Sequence, residues 1–240
     1  MTGVYYQPDL AWVHHSGYSQ HVAIVSPGIL QRLRDADLAR GSRVLDVGCG
    51  SGLLALELLR AGYVVHGVDA SPAMISLARE HAPAASFEVV RLPSGLPEAD
   101  AVVSTGHVLN YLDTPDDIAR ALAELARAVR PGGVLAIDLM TERFCEARDV
   151  REVHARVEDD WVIVTRFSRP APGRFDRTIT VFRRVGDLWR RSDEHHRNVT
   201  FEADAALRIL RDCGIDAELR AAFGAEALPE GLVVLAGVRR

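Results

Sequence analysis

The stretch from Arg43 to Gly52, RVLDVGCGSG, decides the fold of this 240-residue chain. Its first five residues are largely apolar, which is typical of a short buried strand. Glycines then stand at positions 48, 50 and 52, where the absence of a Cβ permits a tight turn and close approach of a ligand. Residues 53–59 have helical composition, and Gly62 is typical of a helix C-cap. The order strand, glycine turn, helix is the first unit of a parallel α/β sheet.

The alternation of strands and helices continues to residue 138. Further strands are predicted at 64–68, 87–90, 101–104 and 134–138. Helices are predicted at 27–38, 73–81 and 115–129, with Ser26, Ser71 and Thr114 as their N-caps. Strands that alternate regularly with helices form parallel sheets through right-handed crossovers. The predicted fold class is therefore α/β, a mostly parallel sheet with helices on both faces.

The pattern changes after residue 140. Residues 153–200 alternate polar with apolar side chains, and Gly186-Asp187 suits a hairpin turn. This predicts a small antiparallel β insert after the fifth strand. A helix at 203–213 and a strand near 232–238 then return to the main domain. The chain thus divides into an N-terminal segment (1–25), a main domain (26–145 and 201–240) and an insert (146–200).

Composition excludes several classes of function. No apolar run is long enough for a membrane helix, and the N-terminus lacks the pattern of a secretory signal. The net charge of −5 disfavours sustained binding to nucleic acid. All 28 basic residues are Arg, so Schiff-base chemistry and Lys-dependent phosphate loops are excluded. Three widely spaced cysteines indicate a reducing compartment and no structural zinc, and we expect a cytoplasmic protein.

Acidic residues at two strand ends indicate the type of ligand. Asp69 closes the second predicted strand, where a carboxylate accepts hydrogen bonds from ribose hydroxyls. The glycines follow the spacing GxGxG, whereas dinucleotide folds use GxGxxG to bring pyrophosphate to a helix N-terminus. Asp46, buried in the preceding strand, would repel pyrophosphate but suits a ligand with a positive amino group.

Residues 46–52 together with 66–71 closely resemble class I S-adenosylmethionine-dependent methyltransferases. The resemblance covers roughly residues 27–140 plus the C-terminal helix and strand. It implies a seven-stranded Rossmann-like sheet whose last strand is antiparallel, and S-adenosylmethionine as the cofactor. The cofactor residues that it implies, with neighbours at the same sheet edge and in the N-terminal segment, are Asp46, Gly48, Cys49, Gly50, Asp69, Ala70, Met74, Leu92, Thr105, Gly106 and Tyr18.

One position departs from the family pattern. Many members carry an acid just after the third strand, where it binds the adenine amino group. This chain has Arg91 there instead. We expect Arg91 to point outward and main-chain groups near Leu92 to contact the adenine.

The segment at 104–112 resembles small-molecule N-methyltransferases, in which an antiparallel insert roofs the substrate site. Methyl transfer needs a positioned nucleophile and removal of its proton where it carries one. The candidate catalytic residues are His107, Tyr111 and His14, because histidine ionises near neutral pH. The candidate substrate residues are His15, Asn110, His195 and His196. Each also has a purely structural interpretation, as a residue packed in a loop, in the core, on a surface arm or at a solvated strand end. Adjacent His195 and His196 point to opposite faces of a strand, so no metal site is predicted.

The insert is basic in relative terms, with 11 Arg against 8 acidic residues over 151–200, which allows a mild anion preference. The favoured function is transfer of a methyl group to a nitrogen or oxygen of a small molecule, in secondary metabolism or amine modification. A tRNA- or protein-directed methyltransferase and a cofactor-binding protein that does not methylate remain alternatives. Neither nucleic acid nor membrane is an expected partner, whereas a homodimer is possible through an edge strand of the insert. The identity of the acceptor is left open.

Overall fold

The computed structural model describes residues 5–17 and 19–240. Its helices are α1 (Pro8–Gly17), α2 (Ser19–Asp35), α3 (Leu53–Ala61), α4 (Pro72–His81), α5 (Pro115–Ala128), α6 (Glu142–Glu146) and α7 (Ala203–Asp212). The strands are β1 (Arg43–Val47), β2 (Val64–Asp69), β3 (Ser86–Val89), β4 (Ala99–Ser104), β5 (Val129–Met140), β6 (Val153–Val157), β7 (Trp161–Ser168), β8 (Arg174–Val185), β9 (Leu188–Val199), β10 (Ile215–Arg220) and β11 (Leu232–Arg239). A short 3-10 helix (Val108–Tyr111) follows β4.

The main sheet has the strand order β10-β11-β5-β4-β1-β2-β3 within the described residues. Strands β1 to β5 run parallel to one another. Strand β11 lies between β5 and β10 and runs antiparallel to both. The chain order reverses between β1 and β4, and open α/β sheets bind ligands in the crevice at such a switch point. The predicted seven-stranded, mostly parallel sheet is confirmed.

Side chains of β1 alternate between two apolar cores. Val44 joins a core with residues of α2, α3 and α4 on one face of the sheet. Leu45 joins the other core, which α5 and α7 cover. Since a strand presents successive side chains to opposite faces, both faces of β1 are buried and helices pack on each.

Helix α2 begins earlier in the chain than the sequence predicts. The predicted helix at 27–38 with Ser26 as its N-cap is wrong, because the helix begins at Ser19 and holds Pro27 in its interior. Proline there removes one backbone hydrogen bond and crowds the preceding turn. Tertiary packing overrides that local preference: Val25 and Ile29 are fully buried on either side of the proline.

The insert is a four-stranded antiparallel sheet, in the order β6-β7-β8-β9, and it confirms the predicted insert after β5. Gly186-Asp187 forms the two-residue turn of the long β8–β9 hairpin, with Gly186 at φ +60°. One face of the sheet packs Trp161 and Ile179 against Leu10 of α1. The insert therefore encloses the N-terminal helix. The outer strand β6 is an open edge, and the pairing of two chains along it stays a prediction.

Two acidic side chains attach the N-terminal segment to neighbouring elements. Glu194 of β9 accepts hydrogen bonds from the main-chain N–H groups of Tyr6 and Gln7, each at 2.8 Å, immediately before α1. Buried Asp9 forms ion pairs with Arg190 and Arg183 of the β8–β9 hairpin. These contacts fix α1 beneath the insert and above the main sheet.

None of the helices in the described part of the chain is both long and apolar enough to cross a membrane.

Candidate functional site

A cavity of about 480 Å³ lies where the carboxyl ends of β1, β2 and β4 meet the insert and the N-terminal segment. The glycine turn and the ends of the parallel strands form its floor. Ile163, Thr165 and Arg177 of the insert, with Tyr6 and His14 of the N-terminal segment, form its roof. The switch point of the sheet is thus covered by two elements that the main domain does not contain.

The glycine turn brings the floor close to the ligand space. Gly48 takes φ +69°, and a Cβ placed there would lie 2.3 Å from the Val108 side chain. Gly50 takes φ +53°, and a Cβ there would meet nothing nearer than the Met74 sulfur at 4.0 Å. Gly48 is therefore required for packing against the segment after β4, whereas Gly50 opens the backbone to the cavity.

Asp69 lies where the sequence predicts the ribose-binding acid, at the end of β2. Its two carboxylate oxygens accept hydrogen bonds from Gly50 N at 3.0 Å and Ser71 N at 2.8 Å. Burial raises the pKa of Asp69, and these N–H bonds oppose the rise. Each carboxylate oxygen keeps a second lone pair for a ribose hydroxyl. Ser71 also caps α4 by accepting a bond from Met74 N, as predicted.

Asp46 supplies a buried carboxylate without a partner. It is 2% exposed, and its Oδ2 has no hydrogen bond. Burial, followed by the nearby charge of Asp69, raises the pKa of Asp46 to about 7. A buried carboxylate of this kind is stabilised by a cationic group placed opposite it. Asp46, Asp69 and the open space at Gly50 together fit a nucleoside that carries a positive amino group, which is the chemistry of S-adenosylmethionine.

Most of the other predicted cofactor residues line the same cavity: Gly48, Cys49, Gly50, Ala70, Met74, Leu92, Thr105 and Gly106. Tyr18 lies outside the described residues. Arg91 has a half-exposed side chain that pairs with Asp113 at 3.4 Å, at the rim beside Leu92. Cofactor contact by each of these residues stays a prediction.

Asp138 of β5 positions the loop after β4. Its carboxylate accepts Gly106 N at 2.9 Å and His107 N at 2.7 Å. These two bonds hold His107 at φ +49°, a left-handed conformation that is uncommon for residues other than glycine. Burial raises the pKa of Asp138 to about 6, against the effect of the same two bonds. Sequence reasoning missed Asp138, although an acid within the apolar run VLAIDLM is a visible signal.

His107 lines the cavity, and one of its ring nitrogens has no hydrogen-bond partner. Its Nδ1 is buried and makes no hydrogen bond, and its ring stacks on Tyr111 with centroids 6.0 Å apart and planes at 14°. Burial, and then the charge of Arg177, hold the pKa of His107 well below its usual range. The imidazole is consequently neutral at pH 7 and able to accept a proton. This placement suits the predicted catalytic role, which stays a prediction.

A polar cluster of Tyr6, Tyr111 and Arg177 lies beside His107. The hydroxyls of Tyr6 and Tyr111 are 3.0 Å apart, and Arg177 donates to the Tyr111 hydroxyl. Burial raises the pKa of Tyr6, which keeps its hydroxyl protonated. Sequence reasoning found Tyr111 but missed Tyr6 and Arg177. The signal for Arg177 is its place on β8 in line with apolar Ile179, which puts a cation on the inward face of the insert.

Two further histidines of the N-terminal region face the cavity. His14 packs edge-on against Tyr6, with ring centroids 5.1 Å apart. Burial, and then the charge of Arg177, lower the pKa of His14 to about 4. His21 of α2 was not predicted; burial lowers its pKa, and its Nε2 has no hydrogen bond. Both rings are therefore neutral at pH 7.

The four predicted substrate residues are placed elsewhere. Asn110 is buried and ties the main sheet to the insert, since its amide donates to Met140 O and Val199 O and accepts from Met140 N. No local pattern in the sequence indicates these partners. The bonds give Asn110 a structural role between β5 and β9, and its contact with substrate stays a prediction.

The three histidines of that set also have other partners. His195 is exposed on the outer face of β9, 3.3 Å from the Asp176 carboxylate. His196 faces inward as the strand alternation predicts, but it is fully buried behind Tyr6 and bonded to Glu194 at 2.8 Å. His15 bonds Ser51 at 2.8 Å and packs against His81 on the outer side of α1. None of the three lines the cavity, so the geometry does not support their predicted contact with substrate.

Comparison with known families finds one matching domain model. Residues 44–133 match the model described as a methyltransferase domain, which spans β1 to the middle of β5. A putative methyltransferase of Bacillus subtilis is 27% identical over 75% of this chain and 76% of its own length. A ubiquinone biosynthesis O-methyltransferase of Nitrosococcus oceani is 31% identical over 51% of this chain and 53% of its own length.

Solved structures share the whole fold. An S-adenosylmethionine-dependent methyltransferase of Clostridium acetobutylicum superposes with a TM-score of 0.80 at 16% identity, over 95% of this chain and 96% of that one. A sugar N-methyltransferase of Streptoalloteichus gives 0.78 at 22% identity, over 100% and 97%. An amino pentose methyltransferase of Micromonospora echinaspora with bound S-adenosylmethionine gives 0.74 at 22% identity, over the full length of both. These likenesses establish the architecture, including the insert.

Proposed function

We propose that this chain, a class I S-adenosylmethionine-dependent methyltransferase, transfers the methyl group to a nitrogen or oxygen of a small molecule. The observation that carries the proposal is the roofed cavity. Its floor holds the glycine turn and two acids, and its roof carries neutral histidines, tyrosines and one arginine. A covered cavity of this size favours a small acceptor over a folded RNA or protein surface.

The names of similar proteins support the same class of acceptor. The solved relatives include a sugar N-methyltransferase and an amino pentose methyltransferase of calicheamicin biosynthesis, and a curated relative is a ubiquinone biosynthesis O-methyltransferase. Both nitrogen and oxygen occur among their acceptor atoms. The association with calicheamicin biosynthesis favours an acceptor from secondary metabolism.

Different residues of the chain serve cofactor binding and proton removal. When bound, S-adenosylmethionine supplies a methyl group on a positively charged sulfur, which the acceptor attacks in line. Asp46 and Asp69 are placed to hold the amino group and the ribose hydroxyls. The roof covers the cavity, and exclusion of water from beneath it would strengthen the electrostatic interactions inside. His107, whose neutral ring lines the same cavity, would take the proton that an amine or hydroxyl acceptor releases.

Transfer of a labelled methyl group tests this function. The full-length chain is incubated with methyl-labelled S-adenosylmethionine and a cell extract that is then separated into metabolites, RNA and protein. We expect label among the metabolites, and at least several-fold less when Asp69→Ala replaces the natural chain at a cofactor concentration below saturation. Label in RNA or protein would identify a macromolecular acceptor. Binding without any transfer would identify a non-methylating protein, and either result overturns the proposal.

A further inference from the structure

Arg177 is a cation in the roof of the cavity. Its guanidinium donates to the Tyr111 hydroxyl, while its Nε is buried without a hydrogen-bond partner. Within residues 5–17 and 19–240, no carboxylate forms an ion pair with it. Arg177 is only partly buried, but it lines the cavity, so a ligand that fills the cavity would remove water from its guanidinium. A charge that loses its water is normally paired with an opposite charge, which favours an anionic ligand.

The acid on the same face of the insert is already occupied. Glu194 lies on β9 opposite Ile179, next to the Arg177–His196 pair. Its carboxylate accepts hydrogen bonds from Tyr6 N and Gln7 N, and it lies 2.8 Å from His196 Nε2. Glu194 therefore holds the N-terminal segment rather than the arginine.

The charge of Arg177 acts on the acceptor end of the cavity. It contributes to the lowered pKa of both His107 and His14, so its field reaches the two candidate proton acceptors. Its hydrogen-bond partner Tyr111 stacks on His107. The cofactor end differs, because there Asp46 and Asp69 supply negative charge and the N-terminus of α3 follows the glycine turn, where N–H groups favour a carboxylate of the cofactor.

We propose that the methyl acceptor carries an anionic group, a carboxylate or a phosphate, which pairs with the guanidinium of Arg177 while the reacting atom lies near His107. A guanidinium offers a planar fork of N–H donors that matches two oxygens of either group. An anion in the cavity would neutralise the charge of Arg177. The proposal rests on the proposed function, since it assigns the substrate class of the same site.

Binding of three probes to the full-length chain saturated with S-adenosylhomocysteine tests this assignment. Benzoate and phenyl phosphate carry the two candidate anions, and benzamide is the uncharged analogue of benzoate. The variant is Arg177→Met, and the matched control is Arg184→Met, which removes an exposed arginine of the same strand paired with Asp160. Arg177→Lys keeps the charge without the fork and serves if the methionine variant does not fold.

We expect the better anion to bind at least about tenfold more tightly than benzamide in the natural chain and in Arg184→Met, as for a charge-assisted hydrogen bond. The ratio falls to near one in Arg177→Met and to an intermediate value in Arg177→Lys, with the S-adenosylhomocysteine affinity within twofold of the natural chain. The anion that binds more tightly shows whether the charged group of the acceptor is a carboxylate or a phosphate.

Three results would overturn the proposal: equal binding of anion and benzamide by the natural chain, an anion preference that survives Arg177→Met, or a tenfold loss of S-adenosylhomocysteine affinity in that variant. The last would assign Arg177 to the cofactor's own carboxylate. Failure of the proposed function looks different, since it is seen as an absence of S-adenosylhomocysteine binding or as label in macromolecules.

Discussion

The two ends of the cavity are built in opposite ways. The cofactor end comes mainly from one continuous part of the chain, residues 46–74, and its main features are exposed main chain, glycines and two acids. The acceptor end combines Tyr6, His107 and Arg177, which are far apart in sequence and meet only when the insert and the N-terminal segment close over the sheet. The first is a local structure that suits a cation. The second is a tertiary structure with neutral rings and a positive charge.

This difference implies that affinity for the cofactor and choice of the acceptor are separable properties. Substitutions at the cofactor end should change cofactor affinity, and substitutions at the acceptor end should change turnover. A single substitution that changed both cofactor affinity and turnover would show that the two properties are not separable.

The largest expected effect follows from His107→Asn. Asparagine tolerates the left-handed backbone that Asp138 holds at this position, so the loop is kept while the proton acceptor is removed. We expect kcat to fall roughly 100-fold or more, the usual contribution of a general base. The Kd for S-adenosylhomocysteine should stay within twofold. His195→Asn, on the outer face of the insert, is the control and should leave both values unchanged.

Asp46→Asn gives the next effect, at the other end of the cavity. Loss of the charge opposite the cofactor's amino group should weaken S-adenosylhomocysteine binding at pH 8 by about 10- to 100-fold, since hydrogen bonds to charged groups contribute roughly 1.5–3 kcal/mol. Calorimetry measures the change. An affinity within twofold of the natural chain would mean that Asp46 does not face the amino group.

The pH dependence of the same binding sharpens this test. Because the pKa of Asp46 is raised to about 7, the carboxylate is charged above that pH and protonated below it. Affinity should therefore be highest near pH 8 and fall as the pH drops through 7, until it reaches the level of Asp46→Asn, about 10- to 100-fold weaker. Asp46→Asn should show no such slope. A slope that persists in the variant would assign the titration to another group.

Asp69→Ala should reduce cofactor affinity by about 1–3 kcal/mol, the loss expected when polar partners are left without hydrogen bonds. Two main-chain N–H groups, of Gly50 and Ser71, lose their acceptor as well. Asp69→Asn retains one carbonyl oxygen and should lose less. Unchanged affinity in the alanine variant would show that the ribose is held elsewhere.

The smallest effect is expected from Asp9→Asn, which weakens the attachment of α1 to the β8–β9 hairpin. The KM for the acceptor should rise by a few-fold, consistent with about 1 kcal/mol for a partly exposed ion pair. Cofactor affinity should change less than twofold, because Asp9 does not line the cavity. A larger loss of cofactor affinity than of acceptor affinity would mean that the roof also holds the nucleoside.

The same contrast explains which features of the fold and the site can be predicted from the sequence alone. Glycine spacing, Asp46, Asp69 and the caps at Ser71 and Thr114 are local signals, and the structure places each where local rules predict. The boundaries of α2 were not predictable, since burial of Val25 and Ile29 outweighs the cost of Pro27.

Part of the acceptor end was not predicted, for a related reason. The hydrogen bonds of Asn110 to residues 140 and 199 depend on how the insert docks, which no local pattern encodes. Tyr6 and Arg177 likewise become site residues only through contacts over more than 60 residues of chain. Their side chains are ordinary in sequence and gain significance from the assembled roof.

The central claim is that the floor of the cavity binds a sulfonium nucleoside through Asp46 and Asp69. Calorimetric titration of the full-length chain with S-adenosylhomocysteine at pH 8 tests it most directly. The account predicts saturable binding of one molecule per chain, weakened at least tenfold in the double variant Asp46→Asn/Asp69→Ala. Absence of binding by the natural chain, or equal binding by the double variant, would contradict it.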